Sequence, residues 1–353
     1  MVSEEQIKPG LAPMEARLVD ALPDEPGWQF EPKWDGFRCL AFRARKAVAL
    51  SSKSGKPLNR FFPEVVDMLG RIGPADWVLD GELIIPIGDV LSFEALQARL
   101  HPAASRVRKL AAETPAQFML FDCLRTPRTP LHDRPLSERR AALEKIQREA
   151  KDPGLPLSPV TLDRAIAEGW LRHSGGALDG VVAKRLDDPY TPGERSMLKI
   201  KQRRTADCVV GGFRYDQAGS QVASLLLGLY DVTNRLNHVG FTSAIANADR
   251  AALTARLEKL IEAPGFTGRA PGGPSRWSTQ RSADWQPLRP ALVAEVVYDQ
   301  VTGDRFRHGT KFLRWRPDKR PNQCTMDQLQ YELRPAELAQ LISGERADAL
   351  GLA

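Results

Sequence analysis

From about Trp28 to Lys201 the chain alternates apolar, strand-like runs with helical segments. The runs are FRCLAF, VLDGELIIP, FMLFDCL, LDGVVAK and MLKIK, and the helical segments are RPLSERRAALEKI and TLDRAIAEGWLRH. This pattern predicts an α+β domain. Ser137 is expected to cap the first helix and Thr161 the second, because short oxygen-bearing side chains satisfy N–H groups left open at a helix start. After the polar QRRTAD stretch the pattern changes to short strands: CVVGGFRY, ASLLLGLY, HVGFT, ALVAEVVY and KFLRW. One helical stretch, ADRAALTARLEKLIEA, interrupts them, and the Gly/Pro-rich GFTGRAPGGPSRW follows it. A small β-barrel of the OB type with an inserted helix fits that order. The tail after Cys324, TMDQLQYELRPAELAQLI, is expected to be helical. The boundary falls near the QRRTAD stretch, giving domains 1–202 and 203–353.

A chain of 353 residues exceeds what one core supports, which agrees with two domains. With 42% hydrophobic and 27% charged residues, and no apolar run near the roughly 18 residues a bilayer crossing needs, the composition excludes a helical membrane protein. The N-terminus carries acids and prolines where a signal peptide would place a basic start and an apolar stretch, so a cytoplasmic location is expected. Cys39, Cys123, Cys208 and Cys324 lie far apart without a CxxC pair, which predicts reduced core thiols and neither a zinc site nor a disulfide framework. The histidines at 101, 132, 173, 238 and 308 show no ligand spacing and receive no role. A net charge of +6 favours a polyanionic partner only slightly.

The chemistry concentrates in EPKWDGFR, which places Lys33 in a tight turn between an aromatic segment and an apolar strand. By itself KxDG is weak. Its context adds Glu82 inside VLDGELIIP, Asp179 and Lys184 at opposite ends of LDGVVAK, and Lys199 and Lys201 flanking Ile200. Charges inside apolar strands are costly unless paired or bound to a ligand, so several such strands predict one polar pocket. A free lysine has a pKa of about 10.4 and is rarely neutral at pH 7, but neighbouring cations disfavour its protonated form and also hold phosphate. Carboxylates such as Glu82 and Asp179 suit magnesium, which neutralises charge at phosphorus. No GxxxxGK[ST] loop is present, so a nucleotide would bind in another way. This inventory fits covalent nucleotidyl transfer to Lys33.

The ordered set KWDGFR, SKSG, LDGEL, FDCL, LDGVVAK and MLKIK resembles motifs I, Ia, III, IIIa, IV and V of the covalent nucleotidyltransferases, which unite DNA ligases, RNA ligases and mRNA capping enzymes. The resemblance spans about Trp28 to Lys319 and implies an ATP-grasp-like adenylation domain followed by an OB-fold barrel. It implies Lys33 as the nucleophile and Glu31 as the reader of adenine. Arg38 and Lys53 would hold the ribose or the nick, and Phe121 would stack on the base. Glu82 and Asp179 would bind Mg2+, with Mn2+ as an alternative, and Lys184, Lys199 and Lys201 would contact the phosphates. FRHGTKFLRWRPDKRPNQCT looks like motif VI, with Arg316, Asp318 and Lys319 matching its R-x-D-K core.

The RTADCVVGGFR junction and the RWRPDKRPNQCT ending look most like stand-alone bacterial ATP-dependent DNA ligases of the C type. That likeness implies nick sealing in DNA repair through lysyl-AMP and adenylated DNA, on nicked double-stranded DNA, by a monomer that accompanies a primase-polymerase. Two positions depart from the pattern: lysine stands at 53 for the usual arginine, and aspartate at 179 for the usual glutamate. Lys53 keeps charge but loses the bidentate fork, and the shorter Asp179 leaves metal contact to a water, so a tuned enzyme is expected. Basic clusters at Arg99 to Lys109, Arg203-Arg204 and Arg305 to Arg320 are expected to contact the phosphate backbone without sequence preference. Two rivals stand beside this reading. One is an RNA ligase or capping-type guanylyltransferase on the same core, and the other is a non-catalytic OB-type single-strand binder. A 7% aromatic content argues against the second.

Overall fold

The computed structural model describes residues 8–73, 76–88, 90–172, 178–202, 204–243, 245–246, 249–272, 284–299, 301–302, 304–307 and 309–329. The chain divides into two compact units between Gln202 and Arg203.

Among the described residues the first unit holds two large sheets and a small ladder of Pro86–Ile87 with Val90–Leu91. One runs in the order Ala47–Ser52, Phe37–Ala44, Trp77–Ile84, Gln117–Thr126 and Thr129–Pro130, all antiparallel. The other runs Ala16–Val19, Met197–Ile200, Leu178–Arg185 and Trp28–Trp34, with only its first pair parallel. The Trp77–Ile84 strand explains the apolar run seen in the sequence, because both its faces are covered. Trp77, Leu79 and Leu83 pack with Phe62, Leu69, Phe118 and Leu143, under the helices Pro63–Arg71 and Leu136–Ala150. Ile84, on the other face, joins Phe30, Trp34, Val181 and Ile200 of the second sheet. Each large side chain so buried contributes roughly 1.5–3 kcal/mol.

The second unit is built on the order Leu236–Thr242, Val222–Tyr230, Arg204–Tyr215, Val293–Tyr298 and Lys311–Trp315, with Gln286–Pro287 also pairing Arg204–Tyr215. These ladders form an open sheet, and the closed barrel expected from the sequence is not among them. A single bridge joins the two outer strands, Thr242 to Thr310, supported by Thr310 N donating to Phe241 O at 3.1 Å and Thr242 Oγ1 donating to Thr310 O at 2.9 Å. The inserted helix is Arg250–Glu258, whose Leu257 packs with Val222, Leu225 and Ala294.

Several local expectations need correction. The Leu136–Ala150 helix starts at a Pro135 cap, so Ser137 lies inside its first turn and does not cap it. Before the Arg164–Arg172 helix, Asp163 Oδ1 accepts from Ala165 N at 2.7 Å, while Thr161 Oγ1 accepts from Asp163 N at 3.0 Å, so Thr161 supports the cap one step removed. Arg99 is fully buried: it donates to Glu64 Oε1 at 2.8 Å and to Thr114 O at 2.6 Å, and is unavailable to DNA. Of the C-terminal helix, Met326–Leu329 is a short 3-10 turn, and the rest lies outside the described residues, as do Arg203, His173 and His308. All four cysteines are buried and free. No described helix is long and apolar enough to cross a membrane.

Candidate active site

Alternation along the second sheet of the first unit sorts its side chains into a dry face and a wet one. Phe30, Trp34, Val181, Ala183, Leu198 and Ile200 share one apolar cluster. Period-two geometry therefore sends Glu31, Lys33, Lys184 and Lys199 to the opposite face. In register, Glu31 pairs with Val182, which pairs with Lys199, so these groups lie side by side across three strands. They line a cleft of about 970 Å³ together with Arg38, Lys53, Glu82 and Phe121.

The turn after Lys33 needs glycine. A Cβ on Gly36 would overlap the Leu83 carbonyl oxygen, so Asp35-Gly36 lets the Phe37–Ala44 strand start hard against the Trp77–Ile84 strand. Lys33 and Glu82 line the same cleft.

Lys33 Nζ lies 2.6 Å from Asp179 Oδ2, and Lys201 Nζ lies 2.9 Å from the other Asp179 oxygen. Asp179 thus fixes two lysines through one carboxylate. Gly180 follows it with φ +123° at a register shift, a backbone shape that favours glycine. Lys199 has its pKa lowered by burial and then by Lys33, Lys201 and Lys53, a crowding of cations that an anionic ligand would relieve. At the other end of the cleft Glu31 Oε1 accepts from Lys184 Nζ at 2.8 Å and from Gln29 Nε2 at 2.9 Å. The Phe121 ring lies between cations, 4.5 Å from the Arg38 guanidinium carbon and 4.9 Å from Lys184 Nζ.

Beneath the cleft Asp80 is fully buried and accepts from Arg38 Nε and Nη2, both at 2.6 Å, and from Tyr190 OH at 2.6 Å. Burial opposes the Arg38 charge, yet Asp80 raises its pKa overall. Glu82, half-buried, is pushed up to about 7 by burial, with Asp35 and Asp80 adding to it against Arg38 and Lys33. Lys53 departs from the polar floor: it pairs with Glu15 at 3.0 Å, and this bond first, with the Lys53 charge, holds the Glu15 carboxyl low.

Among the described residues no group of three or more carboxylate, histidine or cysteine side chains is poised for a metal. The donor set of Glu82 and Asp179 nonetheless fits Mg2+, a hard cation commonly held by one or two carboxylates plus phosphate oxygens and water.

The structure thus gathers Glu31, Lys33, Arg38, Lys53, Glu82, Phe121, Lys184 and Lys199 in one cleft, with Asp179 and Lys201 bonded into it. Arg316, Asp318 and Lys319 belong to the second unit. There Arg316 Nη2 meets Asp318 Oδ2 at 2.8 Å, while Arg316 Nη1 and Lys319 Nζ reach Asp207 at 3.0 and 2.7 Å. Sequence reasoning missed Asp80, Tyr190, Glu15 and Asp207. Asp80 did carry a signal, a carboxylate inside an apolar strand. Tyr190, 110 positions away, carried none.

Residues 9–201 match the family model described as ATP dependent DNA ligase domain, and residues 218–319 match the ATP dependent DNA ligase C terminal region. The chain belongs to the ATP-dependent DNA ligases. It is 44% identical over 334 residues to DNA ligase C1 of Mycolicibacterium smegmatis, covering 92% of this chain and 94% of that one. To DNA ligase C of Mycobacterium tuberculosis it is 42% identical over 357 residues, covering 96% and 99%. A solved structure of a Lig E DNA ligase shares the fold at 16% identity and a TM-score of 0.52, over 86% of this chain and all of that one. The enzyme is therefore an ATP-dependent DNA ligase, and the nucleotidyltransferase core and the C-terminal region are the two parts of that family. DNA ligases act on nicked DNA, and ATP is the nucleotide this family uses.

Proposed function

We propose that this ligase seals nicks between 3′-hydroxyl and 5′-phosphate ends of DNA through a covalent adenylate on Lys33. The observation that carries the reading is the Lys33–Asp179–Lys201 cluster, on the same polar sheet face as Glu31, Lys184 and Lys199. Asp179 Oδ2, 2.6 Å from Lys33 Nζ, holds the nucleophile in place, and the Lys33 proton passes to solvent before attack. The freed amine attacks the α-phosphorus of ATP, forming a P–N bond as the bond to pyrophosphate breaks. The 5′-phosphate at a nick then attacks the same phosphorus and displaces Lys33, and the 3′-hydroxyl finally displaces AMP to form the phosphodiester. Lys184, Lys199 and Lys201 hold phosphate oxygens during these transfers, which depend chiefly on alignment and charge neutralisation.

Glu31 is an acceptor already oriented by Lys184 and Gln29, which suits the 6-amino group of adenine over the 6-oxo group of guanine. Phe121 serves as the base platform, with the Arg38 and Lys184 cations beside its ring. Arg38 and Lys53 hold the ribose or the nick, and Lys53 exchanges Glu15 for that ligand. Glu82 and Asp179 are the residues that would hold Mg2+ or Mn2+, which supplies neutralisation of charge at the phosphorus. Arg316 and Lys319 orient the pyrophosphate, and Asp318 orients Arg316 through its 2.8 Å contact.

We further infer that the second unit is an OB-type barrel; the Thr242 to Thr310 bridge between its outer strands supports this. Residues 1–202 form the adenylation domain and residues 203–353 the barrel domain, in a monomeric, cytoplasmic enzyme of DNA repair that works beside a primase-polymerase. Intact mass after incubation with ATP and magnesium tests the chemistry. Wild type gains one AMP, with α-labelled GTP giving no adduct, and Lys33→Ala gains none. A mass gain retained by Lys33→Ala would refute the assignment.

A further inference from the structure

Cations of the second unit are held in two different ways. In the RWRPDK segment each has a carboxylate: Arg314 Nε meets Glu295 Oε2 at 2.6 Å, and Arg316 and Lys319 converge on Asp207. Arg305 and Arg269 do not. Arg305 Nη2 lies 3.3 Å from His238 Nδ1, and Arg269 Nη2 donates to the Asp304 carbonyl at 3.4 Å. Among the described residues neither arginine has an ion pair with a carboxylate.

Arginine can only donate, so His238 Nδ1 accepts and the ring is neutral. His238 is 4% exposed, and burial, followed by Arg305, Arg214 and Arg269, pulls its pKa down to about 3. A neutral acceptor orients a guanidinium without cancelling its charge. Two exposed arginines fixed side by side by neutral acceptors repel one another until an anion bridges them, and their fork geometry matches phosphate oxygens.

The backbone beneath both is fixed as well. Arg269 N donates to Asn237 Oδ1 and His238 N to Arg269 O, each at 2.8 Å, which docks the 266–269 loop along the Leu236–Thr242 strand. Arg305 lies on a short hairpin opposite Thr302, anchored by the buried Phe306 against Tyr298.

We propose that Arg269 and Arg305 form a phosphodiester-binding site on the second unit, with His238 as the residue that positions Arg305, and that its occupant is a backbone phosphate of duplex DNA. The proposal rests on the DNA ligase assignment and adds to the expected basic cluster a residue far from it in sequence and a buried support. The test is binding of a fluorescent nicked duplex lacking the 5′-phosphate, titrated at several salt concentrations. The pair Arg269→Ala with Arg305→Ala should bind about ten-fold more weakly, with the slope of log K against log salt smaller by about one. Arg269→Lys with Arg305→Lys, which keeps the charge, should hold the slope. His238→Gln should weaken binding with the slope unchanged, as a positioning role requires. Lysine adenylation by ATP and its reversal by pyrophosphate should be unaltered in all of them, so a failure of the ligase chemistry would show separately, in the wild type. If the alanine pair fails to fold, the glutamine pair is read by the same criteria. Unchanged affinity and slope would overturn the proposal. So would loss of adenylation with DNA binding intact, which would give the site to nucleotide phosphates.

Discussion

Removing the Asp80 charge while keeping its shape, as in Asp80→Asn, should destabilise the first unit more than its single missing charge suggests. Asp80 is fully buried and takes three bonds of 2.6 Å, two from Arg38 and one from Tyr190. Without it the Arg38 guanidinium loses its hydrogen-bonded counter-ion, and breaking a buried pair costs about 3–5 kcal/mol. Arg38 keeps 21% of its side chain exposed, which places the expected loss near the lower end, about 3 kcal/mol. For a unit of this size that corresponds to a fall in melting temperature of roughly 6–12 °C. Tyr190→Phe should cost a similar amount, about 2–4 kcal/mol, because its hydroxyl both donates to the charged Asp80 and accepts from the buried Met14 N at 3.0 Å. The control is Asp318→Asn, whose carboxylate is 62% exposed beside Arg316 and should cost under about 1 kcal/mol. Calorimetry of the three variants gives the order directly. An Asp80→Asn protein melting no lower than Asp318→Asn would refute the reasoning.

Two other outcomes follow from the site. Glu82 has a folded pKa of about 7 against an ordinary 4.5, so the folded state holds an extra proton between those values, and stability falls as pH rises through that window. Glu82→Gln should therefore melt higher than wild type at pH 8 and no higher at pH 4.5, while wild-type adenylation rises as pH passes about 7; equal melting differences at both pH values would count against it. Gly180→Ala should lose at least about 2 kcal/mol and most adenylation, because its φ is +123° and a Cβ would overlap the Ile200 carbonyl oxygen; near-wild-type melting would show that the strand can yield.

How far the sequence disclosed this molecule depended on burial. KFLRW coincides with the Lys311–Trp315 strand, VLDGELIIP stands out because both faces of its strand are covered, and LDGVVAK because Val181 and Ala183 enter the core while Val182 shares the cleft face with Lys184. The Ala47–Ser52 strand and the Pro63–Arg71 helix were not singled out, since short, mixed segments resemble loops until a sheet supports them. The cleft residues were legible as charges stranded in apolar runs. Their partners were less so, because Glu31 with Lys184, or Asp80 with Tyr190, are brought together by sheet register and not by spacing. Arg99 illustrates the opposite error: as one basic residue in a basic stretch it looked open to DNA, yet Glu64 takes it into the core. Composition records charge, and only the fold records exposure.

The four buried thiols carry a practical consequence. Burial raises the pKa of Cys39 and Cys208 well above the ordinary range, that of Cys123 to about 12 and that of Cys324 to about 11, so little reactive thiolate forms at neutral pH. A single cysteine introduced on the surface can then take a maleimide dye while the native four stay silent, and fluorescence can follow this ligase through its catalytic cycle without first stripping its core of sulfur.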